Sequence, residues 1–387
     1  MNKKLYFISF SLLSLSLASC NKVPDGNFVL VSSVSSPVSI HTEEQNTILE
    51  LEDPNAYMSN KSTVYGLRSW SKPNGIHLTW SEDNKEGYRA TRYNIYLGED
   101  RTFSNPIIYE TGDQEIDIYN MKINTTYYYK VEAYYQKMGG HYETFNSETK
   151  SFTVEDVAPR NLFIDGLENC RDLGGWDIGD NRTYKQGMIY RTVQYNYGGG
   201  LNTTKFEPTE YGKWQLTKEL GIKTEIDLRK TISFNGEDEV NGITSSPLGS
   251  SVKYVSAPMI YGSKNIFTRS ENKSSVQLVF DTLADISNYP VSFHCVRGTD
   301  RTGAIAYIIG ALVGMNEKDL MMDYLLSNLA KIGSMVKSDI IEADDFYVKG
   351  IANSSGESLS EKARNYLHET CEVPYTTIDS VISNLVV

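Results

Sequence analysis

The sequence is poor in the features that mark membrane-embedded, nucleic-acid-binding or disulfide-built proteins. Beyond residue 20 no apolar run approaches the roughly 18 residues that a membrane-spanning helix needs. Lys and Arg number 37 against 49 Asp and Glu, for a formal charge of -12. Affinity for a phosphate backbone rests on clustered cations, so this balance argues against a nucleic-acid partner and makes any phosphate affinity local. Only four cysteines occur in 387 residues, too few to staple a fold of this size. What is present is apolar material: 40% hydrophobic against 22% charged residues, enough to build cores that a disordered chain lacks. The length exceeds what one core usually supports, so at least two domains are expected.

The N-terminus is read apart from the fold. Lys3 and Lys4 precede the apolar run LYFISFSLLSLSLA, and small residues in LASC lead to Cys20, the pattern of an export signal. LASC resembles the lipobox of bacterial lipoproteins. The resemblance implies cleavage of residues 1–19, a lipid on the Cys20 sulfur, and a protein held at the cell envelope, facing the periplasm or the cell surface. That leaves Cys170, Cys295 and Cys371, an odd number that cannot all pair. Cys170 and Cys371 are expected as buried thiols. A disulfide between them stays open.

Residues 20–61 show no sustained period and are expected to form a tether. From 62 to 155 the pattern becomes short alternating runs between turns, in GIHLTW, RYNIYLGE, TTYYYKVEAYY and ETKSFTVE. Met121, Ile123, Thr125, Tyr127, Tyr129, Val131 and Ala133 share one face of a period-two strand. With Trp80 on an earlier strand and Tyr127 near a strand start, the segment resembles the core tryptophan and corner tyrosine of fibronectin type III and immunoglobulin-like sandwiches. Its many tyrosines are read as cross-strand packing, and no ligand is assigned to it. The linker VEDVAPRNLF closes this domain.

From 160 to 387 the grammar is α/β. KTEIDLR, VKYVSAPM and YPVSFHC read as strands. TGAIAYIIGALVGM reads as a buried helix, and KDLMMDYLLSNLAKI and SEKARNYLHETC continue helical patterns. The strand YPVSFHC runs into HCVRGTDRTG, residues 294–303. A loop there between strand and helix points successive backbone N–H groups inward, and the helix start adds its positive end. Gly298 allows the bend. Val296, Arg297, Gly298, Thr299, Asp300 and Arg301 would line one bound anion, with the Arg301 guanidinium giving two parallel donors. A free thiol with pKa about 8.5 is about 3% ionised at pH 7, and such a field favours the thiolate of Cys295. That thiolate can attack phosphorus directly. Thr302 can donate to the sulfur when it leaves.

HCxxGxDRTG resembles the Cys-x5-Arg loop of the protein tyrosine phosphatase superfamily. Together with NCRDLGGW, IYRT and IDLR, it resembles the bacterial branch related to the mycobacterial secreted phosphatases, over about residues 160–387. The resemblance implies an α/β phosphatase domain with a mostly parallel central sheet. It makes Cys295 the nucleophile, Arg301 the phosphate clamp and His294 a residue that orients the loop and helps to lower the cysteine pKa. His294 is not expected to hold a metal, because no second His or carboxylate has ligand spacing beside it. Asp300 either protonates the leaving oxygen or holds Arg301. No W-P-D sequence supplies a separate acid, so Asp227 is the other candidate, or else a partner of Arg229 or a cap. Asp172 and Arg171 are expected to fix a turn that Gly174 and Gly175 close, and Arg191 to hold the sheet edge. Close relatives often carry lysine where this chain has Thr299, which weakens a phosphoinositide reading, although Arg297 partly restores charge.

Three functions remain. The first is a phosphotyrosine phosphatase, with dual specificity within the range of its family, without metal or cofactor. The second is an inositol phosphate or phosphoinositide phosphatase using the same loop, and the third a non-catalytic surface-binding lipoprotein.

Overall fold

The computed structural model describes residues 29–54, 69–82, 90–136, 142–196, 206–260, 266–267, 269–332 and 348–387. The expected export signal and the expected lipidation site Cys20 lie outside them. The chain divides into two compact units, residues 1–39 with 75–155 and residues 40–74 with 156–387. Among the described residues no helix is long and apolar enough to cross a membrane.

Among its described residues the first unit is all β. Strands β1 (Val29–Val31), β2 (Ile76–Glu82) and β5 (Glu115–Ile118) form one antiparallel sheet in the order β1-β2-β5. Strands β3 (Ala90–Gly98), β4 (Ile107–Thr111), β6 (Thr126–Gln136), β7 (Tyr142–Asn146) and β8 (Lys150–Thr153) form the other, also antiparallel. Alternation in β6 buries Tyr127, Tyr129, Val131, Ala133 and Tyr135 on one face. The sheets meet where the Trp80 and Tyr93 rings pack edge to face with centroids 5.2 Å apart. They meet again where the Tyr129 hydroxyl donates to the Ser32 carbonyl at 2.7 Å. The Tyr127 hydroxyl accepts from the Lys122 N–H, five residues upstream, at 2.9 Å.

The second unit recruits part of the expected tether. Helix α1 (Glu43–Leu49) starts with a capping box, Thr42 Oγ1 accepting from Gln45 N and Gln45 Oε1 accepting from Thr42 N, both at 3.2 Å. The Gln45 amide donates to the Trp70 and Lys72 carbonyls, and Ile48 joins the core. A buried apolar residue and a capped end make this segment part of a fold where its mixed composition suggested a spacer.

The sheet of this unit holds β9 (Asn161–Leu162), β10 (Cys170–Asp172), β11 (Ile189–Thr192), β12 (Thr224–Asp227), β13 (Lys253–Ser256) and β14 (Val291–His294) in the order β13-β12-β14-β11-β10-β9. The four strands from β13 to β11 are parallel, and β10 and β9 add antiparallel pairings, so the sheet is mixed. The central strands are buried on both faces, as apolar runs in parallel sheets require. Two elements then frame the site. Helix α5 (Asp300–Val313) follows β14 and is buried from Arg301 onward. Helix α6 (Glu317–Leu325), with a tight turn over Leu326–Leu329, lies next in the chain. Among the described residues the other α-helices are α2 (Glu210–Trp214), α3 (Ile232–Asn235), α4 (Lys273–Ala284), α7 (Val348–Ala352), α8 (Leu359–Asn365) and α9 (Tyr375–Leu385).

Candidate active site

Strand register brings the site together. Thr192 at the end of β11 and Asp227 at the end of β12 both lie level with His294 at the end of β14, so three carboxyl ends meet where parallel sheets usually bind ligands. The chain leaves β14 at Cys295 and re-enters helix at Asp300. Between them Gly298 adopts φ +68°, and a Cβ there would stand 2.4 Å from the Thr192 carbonyl oxygen. Only glycine permits the loop to press so closely on β11.

The loop's carbonyls are tied outward. Gln194 N donates to Val296 O at 3.3 Å. Asn169 Nδ2 donates to the carbonyls of Arg297 and Gly298, each at 3.2 Å, and Arg191 donates to Gly298 O at 2.7 Å. In a trans peptide the N–H opposes the C=O, so the N–H groups of Arg297, Gly298 and Thr299 point the other way, into the loop.

Behind these contacts lies a buried charge cluster. Asp323 of α6 accepts from Arg171 Nε at 3.0 Å and also from Arg191, while Arg171 donates to Asn169 Oδ1 at 2.7 Å and to Ser327 Oγ at 3.1 Å. Burial alone would raise the Asp323 carboxyl, but Arg191 and Arg171 hold it below its ordinary value. Burial, and next the neighbouring Arg191, push the Arg171 guanidinium down to about 10.

Two sequence expectations change here. Arg171 does not fix the turn of CRDLGG. Alternation along β10 sends it toward the loop, and its neighbour Asp172 holds the turn by accepting from Gly174 N at 2.9 Å and Gly187 N at 2.6 Å. Arg191 does not hold a sheet edge, because β11 is interior, between β14 and β10.

Cys295 and Arg301 are both buried, at 2% exposure. The Arg301 guanidinium is already oriented: Nη1 donates to Glu239 at 2.6 Å, to Leu228 O at 3.3 Å and to Met259 O at 3.4 Å, and Nη2 reaches Glu239 at 3.4 Å. Burial opposes ionisation of Glu239, yet Arg301 and the Lys230 N–H hold its carboxyl below the usual value. Glu239 escaped the sequence reading because one acid in the run GEDEV looks like the next. The Thr302 hydroxyl is fully buried and has no hydrogen-bond partner among the described residues. Thr299 donates to the Asp300 carboxylate at 3.2 Å. Burial raises the Asp300 carboxyl above its ordinary value, and Arg301 offsets this only in part.

Asp227 stands differently. Its Oδ1 accepts from Arg229 N and Nε at 2.9 and 3.0 Å, and its Oδ2 from Arg229 Nη2 at 2.6 Å and the Tyr254 hydroxyl at 2.9 Å. Burial works against the charge, but His294 and Arg229 hold the carboxyl down at about 2. Of the roles left open for it, partner of Arg229 fits. A carboxylate so firmly ionised has no proton to give.

Spacing gave His294 no acidic neighbour, yet strand pairing supplies two. Glu225 and Asp227 each place a carboxylate oxygen within 4.8 Å of a ring nitrogen. These atoms are committed to hydrogen bonds: Glu225 accepts from His294 Nε2 at 3.0 Å and from the Ser246 hydroxyl, and Asp227 is taken up by Arg229 and Tyr254.

The chain is 24% identical over 190 residues to a Cupriavidus necator protein provisionally named a tyrosine-protein phosphatase, covering 43% of this chain and 63% of that one. It is 26% identical over 93 residues to a Meyerozyma guilliermondii protein provisionally named likewise, covering 24% and 50%. It thus spans less than two thirds of the length of these relatives. Among solved structures it is similar to Pseudomonas aeruginosa TpbA, at 17% identity and TM-score 0.28, over 47% of this chain and 88% of that one. The catalytic core of the Saccharomyces cerevisiae PP-IP phosphatase SIW14 matches at 19% identity and TM-score 0.26, over 44% and 90%. Residues 162–386, the stretch that carries every strand and helix around the loop, match the family described as the tyrosine phosphatase family, and the chain belongs to it.

Proposed function

We propose that the protein hydrolyses phosphate monoesters, phosphotyrosine foremost, through a cysteinyl-phosphate on Cys295. The observation that carries this is the loop whose Val296, Arg297 and Gly298 carbonyls are held outward, leaving the N–H groups of Arg297, Gly298 and Thr299 and the Arg301 guanidinium to face one anion above a buried thiol. Three backbone donors and a forked cation match three phosphoryl oxygens and stabilise the charge spread over them in the transition state. The thiolate attacks phosphorus in line, forming the S–P bond as the P–O bond to the leaving group breaks. Asp300 protonates the departing oxygen. The same carboxylate then takes a proton from water, which attacks phosphorus and breaks the S–P bond. Thr302, buried with an unengaged hydroxyl, donates to the sulfur as it is released.

Asp300 is assigned as the acid because its burial favours the protonated form, whereas Asp227 is clamped in its ionised form. No step needs a metal. The export signal, the lipid on Cys20 and a position at the cell envelope, with the first unit as a fibronectin type III-like spacer or docking module, complete the proposal. LASC before Cys20 and the Tyr127 corner support it.

The test is hydrolysis of a phosphotyrosine peptide, a phosphoserine peptide and an inositol polyphosphate by the full chain in EDTA, alongside Cys295→Ser. Turnover of the tyrosine peptide that the variant abolishes is expected. Equal turnover by the variant, or loss in EDTA, would sink the thiolate mechanism. Preference for the polyphosphate would replace the substrate class.

A further inference from the structure

The stretch that composition marks as a tether touches the residues that shape the nucleophile loop. Its two described pieces, residues 40–54 and 69–74, belong to the same compact unit as the loop. Gln45 joins them, its amide donating to the Trp70 carbonyl at 2.6 Å and the Lys72 carbonyl at 3.1 Å. Asn74 joins them a second time, its N–H donating to Ile40 O at 2.8 Å and its Nδ2 to His41 O at 2.6 Å. The result is a strap whose pieces hold each other and which lies on the core through Ile48, Leu49 and Trp70.

From this strap the Trp70 and Ser71 N–H groups both donate to one acceptor, the Leu329 carbonyl, at 2.7 and 3.1 Å. Leu329 ends the turn Leu326–Leu329 that follows α6. Two residues earlier in that turn, the Ser327 hydroxyl accepts from Arg171 at 3.1 Å and from Arg191 at 3.4 Å. Arg191 in turn holds Gly298 O. Two residues after Leu329, the Lys331 N–H donates to the Glu168 carboxylate at 2.6 Å. Glu168 adjoins Asn169, which holds the Arg297 and Gly298 carbonyls. The turn is thus fixed from outside by the strap, while the residues on either side of its fixed carbonyl hold the loop from behind. Gln45, Ser71, Ser327 and Leu329 are all buried. Water is poorly placed to replace a lost donor there, and an orphaned carbonyl in such a site is costly.

We infer that residues 40–49 and 69–74 are a positioning strap for the nucleophile loop, with Gln45 as its clasp. Strapped, the turn keeps Ser327 and Glu168 where Arg171, Arg191 and Asn169 can hold the loop's carbonyls outward. The inference rests on the proposed anion-binding chemistry of that loop, but one of its readouts does not need turnover. Coupling carried through packed and hydrogen-bonded elements of this kind alters binding or rate by about 2- to 30-fold.

The experiment compares two variants of the full chain. Gln45→Met keeps the length of the side chain and leaves the Trp70 and Lys72 carbonyls without their donor. Gln45→Glu keeps an acceptor for the Thr42 N–H but turns a carboxylate onto both carbonyls. At a temperature well below each Tm, two quantities are measured: inhibition of phosphotyrosine-peptide hydrolysis by inorganic phosphate, and hydrogen exchange of the peptide covering residues 294–303, read by mass spectrometry. Both variants should weaken phosphate inhibition and lower kcat/KM by about 2- to 30-fold. Both should speed exchange of the loop amides, Gln45→Glu more than Gln45→Met. Val381→Ala is the control: Val381 is fully buried on α9, so its truncation should lower Tm while phosphate inhibition and loop exchange stay as in the parent. Gln45 variants that lose only Tm would make the strap a stabiliser of the fold and nothing more. A control that loosens the loop as much as they do would show that any loss of stability has this effect. Either result overturns the inference. Should Gln45→Glu fail to fold, the uncharged Gln45→Met decides. A parent that turns over no phosphate ester would overturn the phosphatase reading, and loop exchange would still decide this one.

Discussion

Replacing Gly298 with alanine tests whether the loop's conformation carries the activity. A Cβ there would stand 2.4 Å from the Thr192 carbonyl oxygen and 2.9 Å from its carbonyl carbon. Neither atom can yield, since Thr192 ends a central strand paired in parallel with β14. The loop must therefore retreat by roughly 1 Å, and a misplacement of that size at a reacting centre costs on the order of 100-fold in rate. Holding an alanine at φ +68° adds about 1–2 kcal/mol, and the overpacking about 1–3 kcal/mol. At about 2–4 °C per kcal/mol this lowers Tm by on the order of 10 °C. Gly221 is the control, with φ +66° and nothing within 4 Å of its Cβ position, so Gly221→Ala incurs the backbone term alone. The assay is kcat/KM on a phosphotyrosine peptide beside thermal unfolding, with inhibition by inorganic phosphate as a measure of the anion cradle. The expected result is a hundredfold loss of kcat/KM and weakened phosphate inhibition for Gly298→Ala, against near-parental kinetics for Gly221→Ala. Kinetics within threefold of the parent for Gly298→Ala would refute the claim that contact with Thr192 sets the loop.

Two further outcomes are expected. Because burial raises the folded-state Asp300 carboxyl above its unfolded value, its ionised form costs stability as pH rises through the folded value. Asp300→Asn should therefore raise Tm at pH 7 while lowering kcat by about 10² to 10⁴ on phenyl phosphates with basic leaving groups. It should barely affect activated aryl phosphates, and a uniform loss across leaving groups would remove Asp300 from the acid role. Asp323→Asn leaves the buried Arg171 and Arg191 without their carboxylate. A loss of about 3–5 kcal/mol, or roughly 10 °C or more in Tm, should follow, and an unchanged Tm would show that the cluster does not hold the loop.

Much of the architecture was legible because periodicity is local. Alternation of Tyr127, Tyr129, Val131 and Ala133 foretold β6, and the apolar run from Thr302 foretold α5. The tether was misjudged because what makes α1 part of a fold is Gln45 reaching the Trp70 and Lys72 carbonyls and Ile48 entering the core, contacts that composition does not register. Arg171 and Arg191 were recognised as motif residues but given the wrong tasks. Their partner Asp323 is 152 and 132 residues away.

By itself the sequence determined that a cysteine, a glycine, an aspartate and an arginine share one short turn between strand and helix, so covalent proximity alone brings the proposed nucleophile, bend, acid and clamp together. Only the tertiary structure decided which carboxylate serves which cation. Glu239 meets Arg301 across 62 residues and Glu225 meets His294 across 69. Asp227, alike in sequence to any other acid, is withdrawn from proton transfer by Arg229 and Tyr254. The physical reason is that a charge's role depends on its burial and on the charges facing it, and both are set by strand order and register, which no local pattern encodes.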